Sequence, residues 1–553
     1  MMVPVAGERP VLAVRRRPLS AVPPDARQFA VRMRDGVRLA TDVYLPSAGD
    51  RWPVLLSRLP YDKAGDECFM PKVARWFRER GYVVVVQDVR GKCRSGGDLE
   101  PFVHEVSDGY DTIEWLTEQT WCDGNVGMIG DSYYGFTQWA AAASGHPALR
   151  AITPRVSTPS LGAILNRQGM IPFEVIASWV LETWVDDGLY EYDGHLDWSI
   201  RPPRDVVPAA LAGHRPRYLD RWIAGDVDVS SEISIEQPVP ALHLGGFFDL
   251  LQRSQIETWQ RLSGAPSQYL ILDAVDHGWT EFRNLDSPFV DPQTDPTSMA
   301  EFLERYLSPL LPFLDSYLKQ TGNYSAPAVR WRPAHGGWRE NNEWPPRNSH
   351  AETLHLVAGS GAKPADGSLS KATCPEETSV HWLHDPQDPV PSLVHPYYPL
   401  MDPADESLAQ GRADVACFES EHLSEPTVLA GQVILSAAIR TSQTTGNIVA
   451  VLLDIHPDGR LQRIAEGASR LEAPWGYPTE VDLGHAGYLL QAGHRLGLRL
   501  ASSAYPQYLV HNGDSTDPWT SLGGDPVPYQ LLLGGAKGAS LTIHVLHESE
   551  GPL

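Results

Sequence analysis

Cysteine is scarce in this 553-residue chain: Cys68, Cys93, Cys122, Cys374 and Cys417 include no C-x-x-C pair. That excludes a disulfide scaffold or a zinc knuckle and points to a reducing compartment, so the cytoplasm is the expected location. Long apolar runs are also missing, and none reaches the ~18 residues that a bilayer crossing needs. Arg15-Arg16-Arg17 near the start is not followed by an apolar stretch of signal-peptide type, so no secretion leader is expected. Positive charge is in short supply, with 45 Lys+Arg against 69 Asp+Glu and a net charge of −24. Such a field repels phosphates and anionic lipid, so no nucleic acid and no membrane partner is expected. Gly91-Lys92-Cys93-Arg94-Ser95-Gly96-Gly97 is glycine-rich but lacks P-loop spacing. No metal-ligand cluster or dinucleotide fingerprint stands out, and no cofactor or metal is expected. A homodimer is left open.

What is present is an ordinary globular balance, 42% hydrophobic and 21% charged, over a length that suits three or four domains. Two β-rich runs flank Asp35-Gly36 between Phe29 and Tyr44, the signature of a hairpin. Val54–Ser57 and Val83–Val86 are short apolar runs of the kind buried in parallel sheets. Helical stretches at 71–80 and 107–120 separate them from a further strand at 126–129 and a helix at 138–144. This alternation predicts a doubly wound α/β domain. It stops between Pro154 and Gln237, where aromatic residues Phe173, Trp179, Trp184, Tyr190, Tyr192 and Trp198 suggest a helical insertion. It returns with a strand at 239–244, a helix at 250–262, a strand at 269–272 and one long helix at 300–320. Beyond about Ala326, short β-rich runs at 428–439, 448–455 and 494–500 alternate with turns such as Asp458-Gly459, which suits an antiparallel sandwich or jelly roll. The expected layout is a core of residues 25–154 and 238–325, a helical cap of 155–237 and a β-domain of 326–553.

Gly130-Asp131-Ser132-Tyr133-Tyr134-Gly135 falls between a buried strand and a helix. In an α/β-hydrolase that turn lifts a serine hydroxyl above the sheet, and the next residue's N–H helps bind the oxyanion. The sequence departs from G-x-S-x-G, because the second glycine comes one position late. An acid and then a histidine should follow, each after a later strand. Asp249 comes after the 239–244 strand and His277 after the 269–272 strand, in the required order. Asp273 and Asp276 compete with Asp249 to orient His277. Asp249 is favoured because it follows a different strand. Neutral His277 takes the Ser132 proton, and the carboxylate fixes its tautomer.

These residues, together with Met33–Leu39, Pro60–Lys63, Gln87–Gly91, Gly245–Asp249, Asp385–Pro391 and Ala492–Leu496, give a further reading. The chain resembles the bacterial cocaine esterase and X-prolyl dipeptidyl peptidase family of serine hydrolases from about Phe29 to His547. The resemblance implies an α/β-hydrolase core with an inserted helical cap and a C-terminal jelly roll. It implies a Ser132, Asp249, His277 triad and an oxyanion hole formed by the Tyr61 hydroxyl and the Tyr133 backbone N–H. Two departures stand out. Asp131 places a carboxylate beside the nucleophile, where it reads better as a solvated turn residue than as a cation site. Val394-His395 replaces a Gly-Gly found in many relatives.

Within that family, the α-amino acid ester hydrolases hold a substrate ammonium with carboxylates. The corresponding positions here are Asn166, Leu251 and Gln252, none of them charged. X-prolyl dipeptidyl peptidases are usually longer and also need an anionic pocket, for which Glu174, Glu182, Asp186 and Asp187 are candidates. The expectation is therefore an esterase for a small apolar or aromatic acyl compound, working through an acyl-enzyme, with Trp179, Phe173 and Asn166 at its substrate pocket. An amidase, peptidase or acyl transferase uses the same triad. A carbohydrate-binding jelly roll on a silent core is the non-enzymatic reading.

Overall fold

The computed structural model describes residues 14–66, 68–183, 189–192, 196–211, 213–226, 233–282, 296–359, 366–401, 404–513 and 516–546. Trp184, Asp186, Asp187 and the side chains of Tyr190 and Tyr192 lie outside the described residues. The core is a ten-stranded mixed sheet. Its parallel centre runs from Val83–Asp88 through Trp52–Leu59, Cys122–Asp131, Leu149–Arg155 and Ala241–Gly246 to Gln268–Asp273. Val83–Asp88 and Ala241–Gly246 are buried at every residue, as apolar strands covered on both faces must be. The hairpin Arg27–Arg32 and Arg38–Tyr44, turned at Gly36 with φ 92°, closes one edge.

At the other edge the core sheet continues past residue 325. Val329–Trp331 adds in parallel to Gln268–Asp273, and Arg339–Asn341 pairs antiparallel to it, so the core sheet extends into the segment assigned to the β-domain. These strands are three residues each, too short for an alternation pattern to announce them. The single helix expected at 300–320 is broken: Pro296–Leu307 gives way to a 3₁₀ turn at Ser308–Leu310 and then to helix Leu311–Leu318. Pro309 and Pro312 lack the N–H that a continuous helix would use.

The cap contains helices Leu161–Leu165, Phe173–Thr183, Val206–Ala210 and Arg217–Ala224. Its apolar cluster takes in Tyr505, Leu509 and Trp519 from the C-terminal domain, so the cap is wedged between the other two units. The C-terminal domain is a jelly-roll sandwich. Its strand Thr427–Thr441 pairs along its length with Pro478–Leu490, Val527–Leu533 and Ser540–Leu546, and bends at an irregularity between Gln432 and Ile434. One large cluster, including Leu356, Phe418, Leu435, Leu452 and Leu541, fills it. No helix among the described residues is long and apolar enough to cross a membrane.

Candidate active site

Strand Cys122–Asp131 ends at Gly130-Asp131, and helix Ser132–Ala143 starts on the next residue. Ser132 takes φ 49°, the left-handed region that a side chain adopts only under constraint. The glycines are required by close packing. A Cβ on Gly130, where φ is 136°, would stand 2.1 Å from the Tyr134 ring. One on Gly135 would stand 2.4 Å from Ser157 Cβ. The late second glycine therefore makes room for Ser157, whose hydroxyl donates to the Ser132 carbonyl at 2.8 Å.

Asp249 and His277 arrive from loops after the strands Ala241–Gly246 and Gln268–Asp273. His277 Nε2 lies 2.9 Å from Ser132 Oγ, and His277 Nδ1 lies 2.5 Å from Asp249 Oδ2. The second oxygen, Asp249 Oδ1, accepts the Leu251 N–H at 2.7 Å. Both other acids are committed elsewhere. Asp273 Oδ1 accepts from Arg332 Nε at 2.6 Å, while Asp276 accepts the backbone N–H groups of Gly278, Thr280 and Leu400. Burial opposes a charge on His277. The Asp249 carboxylate, with Asp131 and Asp276 behind it, outweighs that and raises the imidazole above its usual value.

Asp131 is not the solvated turn residue expected from its type. Its side chain is 15% exposed, accepts the Tyr306 hydroxyl and lies 3.8 Å from Arg155 Nη1. Arg155 is in turn stacked on Tyr306, 3.5 Å from the ring centroid, and on Trp279 at 4.5 Å. Burial raises the Asp131 carboxyl, against the pull of Arg155.

Ser132 and His277 open onto a cleft with about 530 Å³ of empty space, walled by Phe102, Tyr133, Val175, Ile176, Trp179 and Tyr397 among others. Trp179 stacks on Tyr133 at 6.0 Å with its plane tilted by 4°. Phe173, expected in this wall, is instead enclosed in the cap core against Trp198, Tyr505 and Trp519. Helix Phe173–Thr183 has two apolar faces, and Phe173 falls on the one turned from the cleft. Asn166 is exposed at the end of helix Leu161–Leu165 and is not among the lining residues.

The Tyr61 hydroxyl accepts from Trp179 Nε1 at 3.1 Å, and burial holds its phenol well above the usual tyrosine range. The Tyr133 N–H, second in its helix, has no intrahelical acceptor. The Tyr133 side chain is anchored by donating to Glu105 Oε1 at 2.8 Å, and Glu105 pairs with buried Arg58 at 2.9 Å. Residues the sequence did not single out include Phe102, Trp222 and Tyr397. No spacing marks them, since each comes from a loop or element remote from the nucleophile. A second space of about 1200 Å³ lies between core, cap and β-domain, and Leu250 lines both.

Residues 35–279 match the X-Pro dipeptidyl-peptidase (S15) family, and residues 322–523 match the X-Pro dipeptidyl-peptidase C-terminal non-catalytic domain. Cocaine esterase from Rhodococcus sp. (strain MB1 Bresler) is 30% identical over 531 residues, spanning 87% of this chain and 91% of that protein. The chain belongs to the S15 family. Two solved structures share the fold. An aminopeptidase from the marine sediment archaeon Thaumarchaeota archaeon superposes with TM-score 0.80 at 19% identity, covering 99% of both chains. An α-amino acid ester hydrolase gives TM-score 0.74 at 22% identity, over 98% of this chain and all of that one. This S15 chain is a serine hydrolase, of the esterase or peptidase kind.

Proposed function

We propose that this S15 hydrolase cleaves carboxylic esters of small apolar or aromatic acyl compounds through an acyl-enzyme on Ser132. The observation that carries this reading is the aromatic-walled cleft into which Ser132 and His277 face. In this reading Ser132 Oγ attacks the carbonyl as His277 Nε2 takes its proton, and Asp249 holds Nδ1 and stabilises the imidazolium. The Tyr133 N–H and the Tyr61 hydroxyl stabilise the oxyanion. Tyr61 suits that role because it accepts from Trp179 and keeps its own proton to donate. His277 then returns the proton to the leaving alkoxide, and water repeats the cycle on the acyl-enzyme.

A second reading, hydrolysis of an amide or peptide bond beside a free amine, is favoured by Glu182. It falls on the same face of helix Phe173–Thr183 as the cleft residues Val175 and Trp179. The residue is exposed overall, but burial of its carboxyl end pushes the group up to about 7, against the pull of His277. Its charge is felt at His277, Tyr61, Tyr397 and Tyr398 around the cleft.

Burst kinetics on p-nitrophenyl acetate and butyrate, beside the matching p-nitroanilides, test both readings on wild type and Ser132→Ala. The expected result is a Ser132-dependent ester burst with little anilide turnover. Comparable anilide cleavage promotes the amine-directed reading, and wild-type ester turnover by Ser132→Ala refutes both.

A further inference from the structure

In the β-domain, strand Thr445–Ile455 runs into the turn His456-Pro457-Asp458-Gly459 and pairs antiparallel with Arg495–Ala501. The register sets Asp454 against Leu496 and Ile455 against Arg495, so His456 and His494 come next as facing neighbours. Side-chain alternation puts Asp454 and His456 on one face. The outcome is a compact group: the two imidazole centroids are 4.4 Å apart. Asp454 Oδ1 lies 2.7 Å from His494 Nδ1, and Oδ2 lies 3.5 Å from His456 Nε2.

We propose that Asp454, His456 and His494 form a binding site for a divalent transition-metal ion of the Zn²⁺ type. The three ligand atoms fall within 4.8 Å of one another. Neighbouring ligands on tetrahedral zinc stand about 3.3 Å apart, given metal–ligand bonds of about 2.0–2.2 Å. The observed 2.7 and 3.5 Å bracket that spacing, so small side-chain rotations admit the ion. Two imidazoles and one carboxylate suit zinc, nickel or copper and leave a position for water. The carboxylate is buried, whereas each imidazole is 12% exposed, which gives the ion a way in.

The surroundings match what a ligating carboxylate needs. The Tyr488 hydroxyl donates to Asp454 Oδ2 at 2.9 Å, and His335 Nε2 stands 3.4 Å behind that hydroxyl. One contact must yield. Arg460 Nη2 lies 3.1 Å from His456 Nδ1, and ligation through Nε2 places the proton on Nδ1. Arg460 is exposed on the turn and can swing into solvent.

The test uses untagged, chelator-stripped protein, dialysed against Zn²⁺ at pH 7.5 and counted, then titrated with Co²⁺ in the visible range. Wild type is expected to retain about one more ion per chain than His456→Asn and to show a Co²⁺ band that the variant lacks. Arg460→Ala is expected to bind several-fold more tightly. Ser132-dependent ester turnover should be the same in His456→Asn as in wild type. Asp454→Asn should lose the same ion, but its buried carboxylate also holds Tyr488. His456→Asn therefore decides the matter if Asp454→Asn fails to fold. Equal metal retention by wild type and His456→Asn, or no Co²⁺ band in wild type, overturns the proposal.

Discussion

Replacing Asp249 with Asn tests the orienting role at a single atom. Asp249 accepts twice, from Leu251 N at 2.7 Å and from His277 Nδ1 at 2.5 Å, and its side chain is fully buried. An Asn side chain has one acceptor and one donor for those two places. With its oxygen toward Leu251, its amide donates to Nδ1 and forces the imidazole proton onto Nε2, where it faces Ser132 and blocks general-base action. Flipped, it restores the tautomer but sets two donors against each other, a buried mismatch worth about 1–3 kcal/mol. At 1.36 kcal/mol per decade, that leaves the competent arrangement about 5- to 150-fold under-populated. Losing the carboxylate's stabilisation of the imidazolium adds to this, for a total near 10⁴ in kcat. Pre-steady-state acylation by p-nitrophenyl butyrate at pH 8, with a melting curve to confirm folding, measures it. A folded variant slowed less than fivefold would refute the assignment of Asp249.

If Tyr61 donates to the oxyanion as proposed, Tyr61→Phe should lower kcat about 10²–10³-fold with KM little changed, which steady-state kinetics measures. Because neighbouring carboxylates raise His277 and only its neutral form accepts a proton, kcat/KM should fall as pH drops through a value above 6.5. Asp131→Asn removes one of those charges and should move that acidic limb to lower pH; an unmoved limb means that Asp131 carries no charge there. Gly135→Ala drives a methyl to within 2.4 Å of Ser157 Cβ and should destabilise the chain by about 1–3 kcal/mol in urea denaturation, partly offset by helix propensity.

The α/β alternation and the order of Ser132, Asp249 and His277 were legible because each side chain follows a strand whose apolar run is plain in the sequence. Position in the sequence separated the three acids by strand order alone, and the family resemblance pointed to the same one. The structure supplies the physical reason: Arg332 engages Asp273, and main-chain donors engage Asp276. Composition could not separate the two faces of helix Phe173–Thr183, so Phe173 and Trp179 looked alike although only Trp179 reaches the cleft. Asp131 misled because a charged turn residue is usually solvated, and its partner Tyr306 comes from a distant helix. The grouping of Asp454 with His494 is equally invisible to spacing, since the two sit on strands that only sheet register brings together.

The loop that carries His277 is held from outside its own domain. The His277 N–H donates to the Tyr397 carbonyl at 3.1 Å, Asp276 accepts the Leu400 N–H at 3.1 Å, and Tyr398 packs over Gly278. The hydrolase core is therefore not expected to work as a transplantable module. A chain in which the core strands alone have formed is expected to lack a seated His277, because the clasp around it belongs to residues 397–400, which follow those strands. A fragment ending after the core sheet should keep the nucleophile turn yet lose the register of its base. Engineering that shortens or exchanges the C-terminal domain must carry residues 395–400 with the core.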